Sequence, residues 1–509
     1  MLINFQPLMF FYLKKTCALL LSIYHCIVHK CYTIGATYPM LNKEVPLTLT
    51  EKSSIDQANH LVATITLPPL WLAIPFVVLL LMIATGPLFF THFWHKHYPK
   101  ISIFLAGFVI FYYYYFLGNK IKPIEAAAEY IQFMSLITAL YVTTGGILIA
   151  VHTKATPLVN SILLAIGAIF ANLIGTTGAS MLFIRPYLRL NKHRIGVYHV
   201  IFFIFIVSNV GGALTPIGDP PLFLGFIKGV PFTWTLVHNA VPWVVAISML
   251  LVIFYFFDRK NQQEIVSEQT HLITKPTISI KGSKNLFWLA IIIGAVFLDP
   301  TIVPWVPAID YHGHNISFVR ELIILAVALL SFYTADKKVL ALNDFNFEPL
   351  NEVCLIFIGI FGTMIPALEL IGALAQSEYG KQLITPNTLY WGTGFFSSIL
   401  DNAPTYLNFT AASMASQGAN IALLTDVQAY AGEGIYLHSI IRLKAISIAS
   451  VFFGAMTYIG NGPNFMVKSI AEQLGIKMPS FGNYIFRFSI PILLPILFIV
   501  WLIFFSCSS

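Results

Sequence analysis

Residues 212–223, GALTPIGDPPLF, recur without a gap as GAMTYIGNGPNF at 454–465, identical at seven of twelve positions, and this duplication restricts the fold more than any other part of the chain. Upstream of each copy lies a long apolar segment that is broken in its middle. The first, 158–187, is interrupted by Gly175-Thr176-Thr177-Gly178, and the second, 388–414, by Asp401-Asn402-Ala403-Pro404-Thr405. The stretches 170–183 (FANLIGTTGASMLF) and 396–409 (FSSILDNAPTYLNF) hold corresponding places before the two copies. Glycine and proline in apolar helices often serve packing or a kink. Packing accounts for a single IGDPP string, but not for its return after a matching broken segment.

Apolar runs of spanning length surround these motifs, near 70–90, 100–118, 130–152, 196–226, 234–257, 285–303, 319–335, 351–375, 436–467 and 484–506. Only 10% of the residues are charged against 57% apolar, and soluble domains carry about 25% charge. Several soluble domains could not be coated by so few charges, so the excess apolar surface must face lipid. The net charge of +7 is modest and its Lys and Arg residues sit in short loops, which argues against a nucleic-acid partner. Cys17, Cys26, Cys31, Cys354 and Cys507 have neither disulfide-framework nor metal-ligand spacing.

In lipid, backbone that leaves a helix must be buried in protein or line a cavity. Each broken segment is therefore expected to be a re-entrant hairpin, entering and leaving on one side. Charge placement favours this arrangement. With 158–187 re-entrant, Lys96, Lys100, Lys154, Arg185 to Arg194 and Arg259 to Lys284 share one face, the cytoplasmic one. A single crossing would move Arg185, Arg189, Lys192 and Arg194 away from Lys96 and Lys100. Lys337, Lys338, Lys468 and Lys477 also fall inside, whereas Arg442 and Lys444 fit poorly. The expectation is an all-α polytopic membrane protein, with about ten transmembrane helices plus two re-entrant hairpins in an inverted repeat. Residues 1–68 read as an N-terminal signal or anchor with an exported linker. Residues 69–284 form a first half with an inward-opening hairpin, and 285–509 a second half with an outward-opening one.

Inverted repeats place a site near the midplane, between broken helices whose ends face the ligand. Each motif carries a Thr (Thr215, Thr457), then Ile-Gly, then Asp219 or Asn461 with proline close behind. Unwinding there is expected to free carbonyls as oxygen ligands, which suit a hard cation such as sodium. The hairpins add Asn172, Thr176 and Thr177 in the first copy, and Ser397, Ser398, Asp401 and Asn402 in the second. Asp219 and Asp401 are the carboxylates that the repeat sets at depth, where an ionisable group points to function; either could instead cap a half-helix start. Thr215, Asp219, Asp401 and Asn402 are the leading sodium ligands. Asp299 and Glu321 lie near span ends, where a charge can reach the interface, and His92, His95 and His97 read as an interfacial belt. No phosphate loop, nucleophile elbow, HExxH or haem motif is present, so an enzyme is not expected.

The strings SNVGGALTPIGDPPLFLGF (208–226), SSILDNAPTYLNF (397–409) and GAMTYIGNGPNF (454–465) resemble the ion transporter superfamily, within it the citrate-transporter and NhaD-like sodium/proton antiporter group. The resemblance spans roughly residues 70–506. It implies a multi-pass protein of a bacterial inner membrane, commonly a homodimer, with a transport part that moves against a scaffold. It also adds Asn209 to the expected binding set. Sodium-coupled dicarboxylate members of the superfamily carry Ser-Asn-Thr at both tips, whereas the tips here read Gly175-Thr176-Thr177 and Asp401-Asn402-Ala403. Two expectations follow. One is exchange of sodium or lithium for protons, with no cofactor beyond those ions; the other is cation-coupled symport of citrate or another carboxylate.

Overall fold

The computed structural model describes residues 67–265, 277–300, 303, 305–311, 314–432 and 434–506. The expected signal or anchor, up to residue 66, and most of the loop after residue 265 lie outside them. The chain is helical almost throughout. Helices α1 (Ile74–Phe89), α2 (Thr91–Tyr115) and α3 (Ile121–Gly145) come first, followed by α4 (Pro157–Leu190), α5 (Val197–Ile206), α6 (Pro220–Lys228) and α7 (Trp234–Ile265). After residue 277 come α8 (Ser283–Ala295), α9 (Val319–Thr334), α10 (Lys337–Leu342), α11 (Glu348–Gln376) and α12 (Glu378–Leu383). The last are α13 (Pro386–Ile399), α14 (Asn402–Ala415), α15 (Leu424–Ala431), α16 (Ser439–Phe452) and α17 (Gly462–Gln473), then α18 over Phe481–Phe504.

Among the described residues, six helical stretches are long and apolar enough to cross a membrane, and two shorter apolar helices accompany them. Large apolar side chains stay open on the outside of the bundle, such as Phe104 at 71%, Val241 at 60% and Leu322 at 68% exposure. In water these would be a liability. In a bilayer they are the lipid-facing belt, and the protein is an integral, multi-pass membrane protein. The core is centred on α5, where Val200 to Val207 are at most 1% exposed.

The architecture is that of the expected all-α membrane protein, with two short antiparallel ribbons beside the helices: β1 (Leu148–His152) pairs with β2 (Thr277–Lys281), and β3 (Ile309–Tyr311) with β4 (His314–Ile316). The apolar run 130–152 therefore is not one helix. Gly145 and Gly146 stand at the end of α3, where a Cβ on Gly146 would collide with Asn285, and the apolar run that follows suits a strand. The acids near span ends also differ from expectation. Glu321 and Arg320 are only 2% and 3% exposed, and Arg320 pairs with both Glu321 and Asp299, at 2.6 and 2.8 Å.

The break in each apolar segment is local and has a local cause. A continuous helix over the 34 residues of α4 would be about 50 Å long. Its ends nevertheless meet, since Asn160 and Asn191 exchange amide hydrogen bonds of 2.8 and 2.9 Å. The fold-back occurs at Gly175, whose φ of 78° and ψ of 154° are open to glycine and strained for other residues. Pro157 and the Thr156 cap start the first arm. In the second segment, α13 and α14 fold back at Leu400 and Asp401, with the rings of Phe396 and Phe409 5.9 Å apart across the bend.

A buried polar cluster holds the base of the first hairpin. Asp258, fully buried on α7, accepts from Arg194 (2.6 Å), Tyr198 (2.7 Å) and Asn160 (2.9 Å). It ties the first arm of the hairpin to the linker after the second arm and to the start of α5. The second hairpin has a lighter tie, Trp501 Nε1 to Asn387 Oδ1 at 2.8 Å. Arg442 and Lys444, poorly placed by charge alone, are engaged inside the protein: Arg442 donates to Ser416 Oγ at 3.2 Å, and Lys444 Nζ lies 4.9 Å from the Phe504 ring.

Candidate functional site

The two motifs unwind in the same way. After α5 the chain makes a 3-10 turn over Val210–Leu214, becomes extended at Thr215 (φ −134°, ψ 156°), and restarts as α6 behind Asp219 (φ −144°, ψ 145°). After α16 it makes a 3-10 turn over Phe453–Met456, becomes extended at Thr457 (φ −137°, ψ 169°), and restarts as α17 behind Asn461 (φ −153°, ψ 138°). Proline supplies the restart in both, since a ring nitrogen in the first turn gives up no hydrogen bond the helix would use.

Matched hydrogen bonds lock each motif onto its own hairpin. Thr215 Oγ1 donates to the Asn172 carbonyl at 2.5 Å, and Thr457 Oγ1 donates to the Ser398 carbonyl at 2.6 Å. Those acceptors hold corresponding places in the repeat. The same hydroxyls accept from Gly218 N and Gly460 N, at 3.2 and 3.1 Å. Thr215 and Thr457 therefore act as staples between motif and tip.

The repeat departs from symmetry at its centre. Asp219 occupies a helix N-cap position, yet its carboxylate caps nothing. Only 1% exposed, it accepts from Thr176 Oγ1 (2.6 Å) at the first tip, Asn402 Nδ2 (2.5 Å) at the second, and Asn461 Nδ2 (3.0 Å), its own counterpart in the second motif. One carboxylate thus joins both tips and both motifs. Asn402 Oδ1, in the same place, is buried without a partner.

The other expected residues are arranged around this centre. Asp401 accepts from Ala403 N at 3.0 Å and caps α14, so it orients Asn402 and has no hydrogen bond to Asp219. Asn172 bridges its own arm to the first motif, donating to the Gly211 carbonyl (2.7 Å) and accepting from Leu214 N (2.8 Å). Ser397 Oγ donates to the Ser450 carbonyl (2.6 Å) and Ser398 Oγ to the Phe395 carbonyl (2.7 Å). Asn209 accepts from Asn461 (3.2 Å) and donates to Asn464 Oδ1 (2.6 Å). Thr177 lines the adjoining cleft.

The carbonyls freed by unwinding, expected as cation ligands, are largely taken. Trp243 Nε1 holds Gly211 O (3.0 Å), Asn239 Nδ2 holds Ala213 O (3.0 Å) and Thr235 Oγ1 holds Leu214 O (3.0 Å), all from α7. In the second motif Asn464 holds Gly454 O (2.8 Å) and Thr457 O (2.9 Å), and Tyr484 holds Ala455 O (2.8 Å). A buried carbonyl needs a partner, and a donating side chain from a neighbouring helix is the nearest one. Sequence comparison of the repeats missed Asn464 because Leu222 stands at its place in the first copy. The α7 donors lie outside the repeated strings altogether.

The sequence from residue 65 to 505 matches the family described as “Putative citrate transport”. The chain belongs to that family. No curated protein matches it. As a member of a citrate-transport family the protein is a transporter, and the site described above is where its broken helices meet. Beside Asp219 a small cleft runs along α3. Phe133, Leu140 and Tyr141 of α3, Thr176 and Thr177 of the tip, and Asp219 and Phe223 of the motif line it. No Lys, Arg or His is among its lining residues. In this transporter the one ionisable carboxylate at the cleft is therefore met by neutral donors alone.

Proposed function

We propose that this transporter exchanges sodium or lithium for protons, with Asp219 as the group for which the two compete. The observation that carries the reading is a fully buried carboxylate contacted by both tips and the second motif in a cleft without a basic side chain. A buried carboxylate is stable when a proton neutralises it or a cation compensates it, and the two exclude each other on one charge. Thr176, Asn461 and Asn402, with its unpartnered Oδ1, are the neutral groups beside it, and Asp401 keeps Asn402 in position. The fold-backs at Gly175 and Asp401 support two re-entrant hairpins of opposite entry in a ten-span inverted repeat. The halves are 69–284 and 285–509, and the resemblance adds a homodimer in a bacterial inner membrane.

A second reading, cation-coupled symport of citrate or another carboxylate, draws on the family's description and on the half-helix starts behind Asp219, Asp401 and Asn461, whose positive dipole ends suit anions. Everted vesicles separate the two. Exchange predicts that adding sodium dissipates a pH gradient, read by dye dequenching, without any carboxylate. Sodium-dependent uptake of labelled citrate with no such dequenching overturns it.

A further inference from the structure

Helix α3 forms one wall of the cleft, and an ion pair stands at each end of that wall. Phe133, Leu136, Ile137, Leu140 and Tyr141 line the cleft at helical spacing, so Glu129 lies one turn beyond Phe133 on the same side, and about 18 Å along the helix from Tyr141. Glu129 pairs with Lys228, in the last turn of α6, at 2.5 Å, and the two side chains are 17% and 14% exposed.

The other end is closed differently. Residues 343–346, just after α10, form a strap across the end of α3: Asn343 Nδ2 donates to the Gly145 and Ile147 carbonyls (2.8 Å each), Tyr141 Oη donates to the Asn346 carbonyl (2.8 Å), and the Phe345 ring lies 5.4 Å from that of Tyr141. The strap is therefore fixed to α3. Strap and α10 are hydrogen-bonded to the second arm of α4 by two long contacts, Arg185 Nη2 to Asp344 Oδ2 at 3.4 Å and Arg189 Nη2 to the Leu342 carbonyl at 3.5 Å. Asp344 is 75% exposed and held at a φ of 45°, while Arg185, 9% exposed, leaves Nη1 buried without a partner. A long contact to a solvated carboxylate holds weakly, whereas a short pair between two mostly buried groups holds firmly, because losing either partner strands a charge.

Lys228 and Arg185 belong to one body. Lys228 follows Asp219 on α6, Arg185 follows Thr177 on α4, and the bonds of Thr215 to Asn172 and of Thr176 to Asp219 join motif and hairpin. A tilt of that body that opens one end of the cleft breaks the pair at that end. We propose that the two ion pairs are the gates of the cleft: Glu129–Lys228 is the firm gate, and Asp344–Arg185 is a light latch at the opposite end, which opens first from this conformation. The inference rests on the protein being a transporter, and on neither the ion carried nor Asp219.

The test sets a reporter in the cleft, Thr177→Cys in the full chain, and follows its labelling by a membrane-impermeant maleimide in everted and in right-side-out vesicles, against the same chain without Thr177→Cys. Asp344→Asn should speed labelling about fivefold from the face that bears the strap, the factor for losing an exposed pair, and leave the other face unchanged. Glu129→Gln and Lys228→Gln should each speed labelling from the opposite face alone, by about a hundredfold, as for a broken buried pair. Reversing the charges with Glu129→Lys and Lys228→Glu together should bring that rate back toward wild type. Equal acceleration from both faces, no acceleration by Asp344→Asn, or a reversed pair that labels as fast as either single variant overturns the proposal and marks pairs that only hold the fold. Should the Glu129 and Lys228 variants not fold, Asp344→Asn, at an exposed position, decides: an unchanged rate, or a rise from both faces, overturns the proposal. Failure of the exchange reading shows separately, as absent dequenching in vesicles with both pairs intact.

Discussion

Replacing Asp219 by Asn removes the charge while keeping most of the contacts, and the hydrogen-bond inventory says how much folding it should disturb. With the amide oxygen in the place of Oδ1, Thr176 and Asn461 keep their acceptor. The amide nitrogen then faces Asn402, which can turn to present Oδ1, an atom without a partner in the native protein. The net change is about one hydrogen bond and the loss of charge assistance, roughly 1–2 kcal/mol. Asp219→Ala is different, because three buried donors lose their acceptor at about 1–3 kcal/mol each. The sum, roughly 3–9 kcal/mol, rivals the ~5–15 kcal/mol that holds a domain together. Asp219→Asn should therefore give a monodisperse size-exclusion peak and Asp219→Ala should not. In everted vesicles Asp219→Asn should lose sodium-evoked dequenching at every pH, because the group that titrates is gone. A folded Asp219→Asn protein with the wild-type pH profile would refute the role given to this carboxylate.

Three further outcomes are expected. Gly175→Ala forces a side chain into a φ of 78° and sets its Cβ 3.3 Å from the Ile217 carbonyl, so Tm in detergent should fall by an amount equivalent to about 1–3 kcal/mol; an unchanged Tm counts against a strained tip. Asn464→Leu strips partners from Gly454 O, Thr457 O and Asn209, and should lower folded yield far more than Asn483→Leu, an exposed-helix control whose backbone alone is bonded. Asp258→Asn leaves Arg194, whose side chain is 8% exposed, without its counter-charge, and should destabilise by about 3–5 kcal/mol; equal proteolysis of variant and wild type at residues 190–196 argues that the hairpin base is held by something else.

The site also explains why the two copies of the motif differ where they do. Asn at 461 donates to Asp219, whereas a second Asp there would set two buried carboxylates against each other. The duplicated geometry is kept in the parts that shape backbone, namely the threonine staples and the glycines. Gly218 and Gly460 approach the carbonyls of Gly212 and Gly454 so closely that a Cβ fits at neither. Duplication is broken in the part that carries charge.

Read by itself, the sequence determines the solvent and the skeleton of this protein. A chain with so few charges must face lipid, spanning-length runs must become helices, and Gly175, Pro220, Asp401-Asn402 and Pro463 must interrupt them, because these effects act within a few residues of one another. Period and composition also separate the two broken segments from ordinary spans. Tertiary structure alone decided what the freed polar groups would face. The carbonyls of Gly211, Ala213 and Leu214 are claimed by α7, which lies outside the repeat, and Asn464 serves the second motif from a position that holds Leu222 in the first. Likewise, two aspartates that look alike in sequence have different roles. Asp401 satisfies an amide two residues away, a contact any helix start can make, while Asp219 is met by residues 43, 183 and 242 positions distant. Partners that remote are chosen by how the helices pack, and no local pattern in the chain encodes them.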